Sequence, residues 1–279
     1  MKAAKFDYVR AASLQQAIGE LNDGDKTVKP MSGSQSFGPM LNLRLARPAK
    51  VVDISGIDEL RGVAESGKTI RIGAAVTHAE IEDGIFAPLR GHLMQEVAGR
   101  IAYRGVRNRG TVGGSLAHAD PAADWVVVAS GLGATLEITG PQGKREATMP
   151  EFMQGAYTVD LGPQDLITAV IAPARTDATR WGYWKFCRKT GEFAEASCAA
   201  YFEPSTRTAR IAVGALDGAP ALLDAFAADV AARGWDAADT QALHKQVESI
   251  APQASEAKKQ LLATAIERCL EQVLGARNV

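Results

Sequence analysis

Two short stretches of small residues constrain this chain more than any other feature. Ser32-Gly33-Ser34-Gln35-Ser36 and Thr111-Val112-Gly113-Gly114-Ser115 both combine glycine with hydroxyl side chains. Glycine tolerates positive φ and lets other groups approach the backbone, and successive N–H groups flanked by hydroxyls suit a concave anion site. Arg104, Arg107 and Arg109 precede the second stretch, and their guanidinium groups are candidates to neutralise a diphosphate. Either stretch alone reads as an ordinary turn, and an arginine cluster alone as a solvated face. Their combination points to a single diphosphate site built from distant parts of the chain.

The pattern around these stretches divides the chain into three units. Ser13 and Gln16 make a capping-box pattern, Leu14, Ala17, Ile18 and Leu21 follow at helical spacing, and Asn22-Asp23-Gly24-Asp25 stops the helix. Thr27 to Met31 and Val51 to Ile54 read as buried strands either side of the first stretch, giving a small α/β unit over residues 1–56. From about Leu60 the pattern changes. Thr69-Ile70-Arg71-Ile72 alternates as a half-buried strand, and Leu89, Leu93, Met94, Val97 and Ala98 predict a helix ending near Gly99. Asp120 before Pro121 predicts an N-cap and first turn for a helix through Trp125 to Val128, closed by Gly131. Strand-like Thr135 to Thr139 meets a Gly140-Pro141-Gln142-Gly143 turn, completing an α+β unit over 57–175. After Ala172-Pro173, strands are expected at Trp181 to Phe186, Ala196 to Phe202 and Ala209 to Val213. An alanine-rich helical region follows and ends in a helix capped by Ser255 and stopped by Gly275, an α+β unit over 176–279.

Composition removes several function classes. With 31 basic and 32 acidic side chains the net charge is -1, which disfavours a nucleic-acid partner. No apolar run is long enough for a membrane span, and Met1 to Asp7 carries no signal-like apolar region, so a cytoplasmic location is expected. Cys187, Cys198 and Cys269 are an odd number without CxxC spacing, fitting reduced thiols and leaving no four-cysteine set for an iron–sulfur cluster. His78, His92, His118 and His244 show no paired spacing, so each reads as a surface or core histidine and no metal is expected. Gly62-Val63-Ala64-Glu65-Ser66-Gly67-Lys68-Thr69 satisfies the P-loop expression, yet the alternating Thr69 to Gly73 segment reads as a strand where a P-loop needs a helix. Glu65-Ser66-Gly67-Lys68 is therefore read as a hairpin turn. Gly131-Leu132-Gly133 lacks the third glycine of a dinucleotide fingerprint.

Longer motifs carry a resemblance. Pro30 to Ser36, followed by Pro39-Met40-Leu41-Asn42-Leu43-Arg44-Leu45-Ala46-Arg47-Pro48 and Val52-Asp53-Ile54, resembles the first pyrophosphate loop of the xanthine dehydrogenase and carbon monoxide dehydrogenase flavoprotein family. Arg104 to Asp124, reading RGVRNRGTVGGSLAHADPAAD, is similar to that family's signature nearly throughout, and order and spacing agree over essentially the whole chain. The resemblance implies an α+β fold: a two-subdomain FAD-binding domain of the vanillyl-alcohol-oxidase (PCMH) type, then a smaller α+β domain. It implies FAD in this chain, with pyrophosphate contacts at Ser32, Gly33, Ser34, Gln35 and Ser36 and at Thr111, Val112, Gly113, Gly114 and Ser115 through backbone amides. Asp124 corresponds to a family carboxylate on the cofactor, Ile101 and Leu166 or Ile167 to apolar contacts, and Lys185 to a lysine near the flavin ring. Phe193, in Thr190-Gly191-Glu192-Phe193-Ala194, replaces a common tyrosine over that ring, which keeps stacking and loses a hydroxyl. Ser34 and Gln35 depart from the usual Ala-Gly-Gly-His-Ser, requiring at position 34 either an ordinary φ or a tolerated strained one.

The implied function is an oxidoreductase subunit that receives electrons from [2Fe–2S] clusters and passes them to an external acceptor, with no catalytic nucleophile or base of its own. Molybdopterin and the clusters belong to partners, a large subunit and a small two-cluster subunit, in a dimer of heterotrimers. Two alternatives stand beside it. One is a stand-alone FAD-dependent oxidase of the same fold, the other a P-loop nucleotide-binding module using Lys68.

Overall fold

The computed structural model describes residues 2–22 and 27–277, and three main sheets organise it. Asp23, Gly24 and Asp25, the expected stop of the first helix, lie outside the described residues. Strands β1 (Asp7–Arg10), β2 (Val28–Met31) and β3 (Lys50–Asp53) form a parallel sheet in the order β1-β3-β2. Parallel neighbours need a crossover, supplied here by helix α1 (Leu14–Leu21) between β1 and β2 and α2 (Phe37–Asn42) between β2 and β3. Ser13 caps the Gln16 amide, while the Gln16 side chain returns to the amide of Ala12 rather than of Ser13. Ala17 and Leu21 bury against Val28, Val52 and Ile54. This arrangement places Ser32–Ser36 at the carboxyl end of β2, where the chain leaves the sheet.

The second sheet is antiparallel. It contains β4 (Val63–Ser66), β5 (Thr69–Gly73), β6 (Thr135–Gly140) and β7 (Gly143–Thr148); a separate hairpin of β8 (Met153–Gly155) and β9 (Thr158–Val159) precedes β10 (Leu166–Pro173), which inserts centrally to give β4-β5-β10-β6-β7. Ser66 pairs with Thr69 across a turn of Gly67, at φ 60°, and Lys68. A strand follows Lys68, so no helix N-terminus stands there to meet a phosphate and the P-loop alternative falls.

Between β5 and β6 run α3 (His78–Glu82), α4 (Leu93–Arg100), α5 (Arg104–Arg107), α6 (Val112–His118) and α7 (Asp124–Leu132), with α8 (Met149–Phe152) after β7. Three helix boundaries differ from the sequence reading. Leu89 belongs to a separate 3-10 turn, because His92 Nδ1 accepts the Met94 amide and caps α4 itself. Asp120 does not cap α7: its Oδ1 accepts the Ala122 amide in a local turn, and the N-cap is Ala123. The closing residue is Gly133, at φ 64°, rather than Gly131. A Cβ on Gly131 would lie 2.9 Å from that of Ala199, so this glycine admits close helix–sheet packing.

The third sheet runs β11 (Arg180–Phe186), β12 (Ala196–Glu203), β13 (Thr208–Gly214) and β14 (Ala221–Leu222) in antiparallel order. Every residue of β12 is buried because both faces are covered. Ala196, Cys198, Ala200 and Phe202 face α9 (Asp224–Arg233), α10 (Thr240–Ile250) and α11 (Glu256–Leu274), whereas Ala199 and Tyr201 join the core that contains α7. The strand's period of two divides one run of small residues between two cores. Ser255 and Gly275 bound α11 as the sequence indicates. Among the described residues no helix is long and apolar enough to cross a membrane.

Candidate cofactor-binding site

The first small-residue stretch forms a row of free donors. Ser34 sits in the left-handed region at φ 62° and Ser36 in the right-handed one at φ −104°. The amides of Gly33, Ser34, Gln35 and Ser36 donate to no acceptor among the described residues; the loop's own bonds run from Gln35 Nε2 to the Gly33 carbonyl (3.1 Å) and from the Gly38 amide to the Ser34 carbonyl (3.0 Å). Successive N–H groups freed by alternating backbone hand make an anion-binding concavity. Position 34 therefore takes the strained conformation, which costs a non-glycine residue about 1–2 kcal/mol.

The second stretch differs from the amide cradle expected of it. Thr111 caps α6, accepting the Gly114 amide on Oγ1 (3.2 Å) and donating its hydroxyl to Ser32 Oγ (3.1 Å). The amides of Val112, Gly113 and Ser115 go to the carbonyls of Val76 (3.1 Å), Ala74 (2.9 Å) and Thr111 (3.0 Å). What faces outward is the exposed backbone of Gly114 with the half-buried Ser115. A Cβ on Gly113 would lie 2.4 Å from that of Ala74, so its missing side chain serves internal packing. The two stretches touch twice. Besides the Thr111–Ser32 bond, a Cβ on Gly33 would lie 2.0 Å from the Arg109 carbonyl oxygen, which only glycine permits.

Two of the three arginines are already committed. Arg104 reaches Asp83 (2.6 Å) and Glu82 (2.9 Å), and Arg107 binds Glu82 through two nitrogens (2.8 and 2.9 Å) while donating to the carbonyls of Ile101 and Ala102. They brace α3 against α5 rather than face the loops. Arg109 is exposed and has no acidic partner within salt-bridge distance among the described residues.

Beneath the second stretch lies His78. Its amide donates to the Gly110 carbonyl, and its Nδ1 accepts from Trp125 Nε1 at 3.0 Å, which leaves the ring proton on Nε2. Burial, helped by the charge of Arg107, pushes its pKa down to about 3. It is a core histidine, one of the two places the sequence left open for it.

A buried polar cluster joins α7 to the third sheet. Asp124 Oδ1 accepts from Lys185 Nζ at 2.6 Å and from the Tyr183 hydroxyl at 2.5 Å. The Asp124 and Lys185 side chains are each only 8% exposed. Tyr183 and Lys185 stand two apart on β11 and so share a face. Burial, with the Asp124 charge and hydrogen bond adding to it, pushes the Tyr183 phenol up. The sequence reading missed Tyr183; its period-two spacing from Lys185 was the available signal.

The remaining candidates are dispersed. Ile101 ends α4, half-buried against the central core, and Ile167 is enclosed in that core. Leu166 is buried with the first sheet's core. Phe193 stands 61% exposed on the loop between β11 and β12.

Comparison with known proteins places these features in a family. The family model described as the FAD binding domain in molybdopterin dehydrogenase matches residues 4–175. The carbon monoxide dehydrogenase medium chain of Hydrogenophaga pseudoflava is 34% identical over 73% of this chain and 71% of that protein. The nicotine 6-hydroxylase medium subunit of Paenarthrobacter nicotinovorans is 35% identical over 78% of this chain and 77% of that protein. Among solved structures, reconstituted CO dehydrogenase from Oligotropha carboxidovorans superposes with a TM-score of 0.88 at 28% identity, covering 99% of this chain and 100% of that one.

Proposed function

The chain belongs to the family of FAD-binding domains of molybdopterin dehydrogenases, and from that premise we propose that its two latched loops hold the diphosphate of FAD in an electron-relaying subunit. One observation carries the reading: four consecutive free amides, Gly33 to Ser36, pinned beside an open glycine at position 114. That donor set fits a diphosphate, since small residues allow close approach and the N–H groups have no competing acceptor among the described residues. Ser32 and Thr111 lock the loops together; Val112, Gly113 and Ser115 fix the facing wall. FAD, when bound, accepts electrons singly and passes them on, so the protein's work is binding and tuning. Ile101 and Phe193 offer apolar surface to the ring, and Leu166 and Ile167 stiffen the wall behind. Lys185 reaches the site already paired with Asp124, so it acts through a neutral hydrogen-bonded pair rather than a free cation.

The same reading assigns residues 1–56 and 57–175 to two subdomains of a PCMH-type FAD domain, and residues 176–279 to a C-terminal α+β domain. In support, each of the three sheets has an apolar core on one face, although the third also lends Tyr183, Ala199 and Tyr201 to the core of the second. Partners are a large molybdopterin subunit and a small subunit with two [2Fe–2S] clusters, in a cytoplasmic dimer of heterotrimers. Relatives named for carbon monoxide and for nicotine match this chain equally well, which favours substrate choice on a partner. The test is purification with the neighbouring gene products: stoichiometric FAD, released by denaturation, should travel with both partners. A chain that takes up no FAD on reconstitution refutes the reading, and a flavin-loaded chain that stays alone points to the stand-alone oxidase.

A further inference from the structure

The segment Ile101-Ala102-Tyr103 is held in a costly shape that leaves a large aromatic side chain in the open. Ala102 has φ 42°, a left-handed conformation that a residue with a Cβ adopts at a cost. Arg107 Nη1 ties down the carbonyls of Ile101 (2.9 Å) and Ala102 (3.1 Å), and Glu82 in turn anchors Arg107. The Tyr103 carbonyl accepts the amides of Val106 and Arg107. All this restraint presents a Tyr103 ring that is 60% exposed. Strain persisting where surrounding bonds enforce it is a marker of a functional position.

A second segment meets this one. Gly191, at φ 92° in the loop between β11 and β12, lies over the ring: a Cβ there would be 2.7 Å from Tyr103 Cζ and 2.9 and 3.0 Å from the two Cε atoms. Near-equal distances place the Gly191 backbone over the hydroxyl end of the ring face. Phe193, two residues on, is also exposed. The loop that carries Phe193 thus packs, through Gly191, on the ring of Tyr103 from a distant part of the chain. Tyr103 lies two residues after Ile101; Phe193 lies in the loop after Lys185.

We propose that Tyr103 contacts the isoalloxazine ring of FAD and forms, with Phe193, the aromatic wall of the ring end of the site. The proposal rests on the FAD reading given above. Flat aromatic side chains stack on a flat ring with little loss of freedom, and an exposed pair otherwise costs apolar hydration. The rival role is mechanical, with the Tyr103 ring merely propping the Gly191 loop.

The test uses the assembled complex and the Tyr103→Phe and Tyr103→Ala variants, reading FAD affinity and the fluorescence of bound FAD. Loss of one aromatic contact should weaken FAD binding about 3- to 10-fold in Tyr103→Ala, with Tyr103→Phe restoring it. A tyrosine touching the ring quenches flavin emission by donating an electron to the excited state, so bound FAD should brighten in Tyr103→Phe, which keeps the Gly191 prop. Bound-flavin emission unchanged in Tyr103→Phe overturns the proposal, as does loss of FAD from that variant, since either result leaves the ring a structural prop. Absence of FAD from the unaltered complex would instead refute the FAD reading itself.

Discussion

The Asp124–Lys185–Tyr183 cluster allows a sharp thermodynamic test, because all three groups are buried and two donors share one oxygen. Asp124→Leu leaves the Lys185 ammonium and the Tyr183 phenol without their acceptor. Stranding a buried charge costs about 3–5 kcal/mol, and an orphaned hydroxyl adds about 1–3 kcal/mol. Lys185→Met leaves the carboxylate with only the Tyr183 donor and should also cost about 3–5 kcal/mol. Removing both charges together strands only the phenol, so the double variant should lose about 1–3 kcal/mol. Adding Tyr183→Phe should recover most of that remainder. The interaction energy expected from the cycle is therefore several kcal/mol, larger than the orphaned Tyr183 hydroxyl could give. Urea unfolding of the FAD-free chain measures it, with the slope compared between variants to confirm that the same surface is exposed. Single costs that add to within about 0.5 kcal/mol would refute the reasoning, since independent sites add and a shared buried ion pair does not.

Three further outcomes follow from individual positions. Gly114→Val, whose Cβ would press only on the Thr111 hydroxyl at 2.7 Å, should yield a folded chain with little FAD, whereas Gly113→Val, pressed against both side chain and backbone of Ala74, should fail to fold; circular dichroism with flavin absorbance separates the two. Ser34→Gly should raise the unfolding free energy by about 0.5–1 kcal/mol, relief of the left-handed strain being partly offset by a freer unfolded chain, as read by urea midpoints. His78 stays neutral in the fold down to about pH 3, while in the unfolded chain it gains a proton below its ordinary value of about 6.5. Its contribution is thus complete above pH 6.5 and is lost as pH falls, at up to about 1.4 kcal/mol per unit. His78→Gln, which keeps an acceptor for Trp125, should remove that part of the acid sensitivity.

Local signals carried much of the fold. The hairpin at Gly67-Lys68 was legible because strand alternation resumes at Thr69, and this outweighed a complete P-loop expression. Ser255 and Gly275 bounded the last helix because its apolar stripe needs no partner to be seen. Asp120-Pro121 misled, since an aspartate before proline can cap a helix or close a turn. Here its two carboxylate oxygens are taken by the Ala122 amide and the hydroxyl of Tyr157, a residue far along the chain. Arg104 and Arg107 likewise showed charge without showing a partner. Glu82 and Asp83 reach them only because α3 packs beside α5.

The two small-residue stretches show where such reading ends. Their compositions are nearly interchangeable, yet the amides of one are free and those of the other are consumed. Val112 and Gly113 run beside the segment from Ala74 to Val76, whose carbonyls capture their N–H groups, and Thr111 takes the Gly114 amide for itself. Ser32–Ser36 leaves the end of β2 through a left-handed turn at Ser34, and no carbonyl among the described residues takes the amides of Gly33 to Ser36. Glycine and serine therefore identify a backbone that can receive an anion. Which stretch does so depends on whether neighbouring carbonyls reach the amides first, and that competition is settled by tertiary packing. A third stretch of like composition placed beside a strand edge would, by the same reasoning, bind protein rather than phosphate.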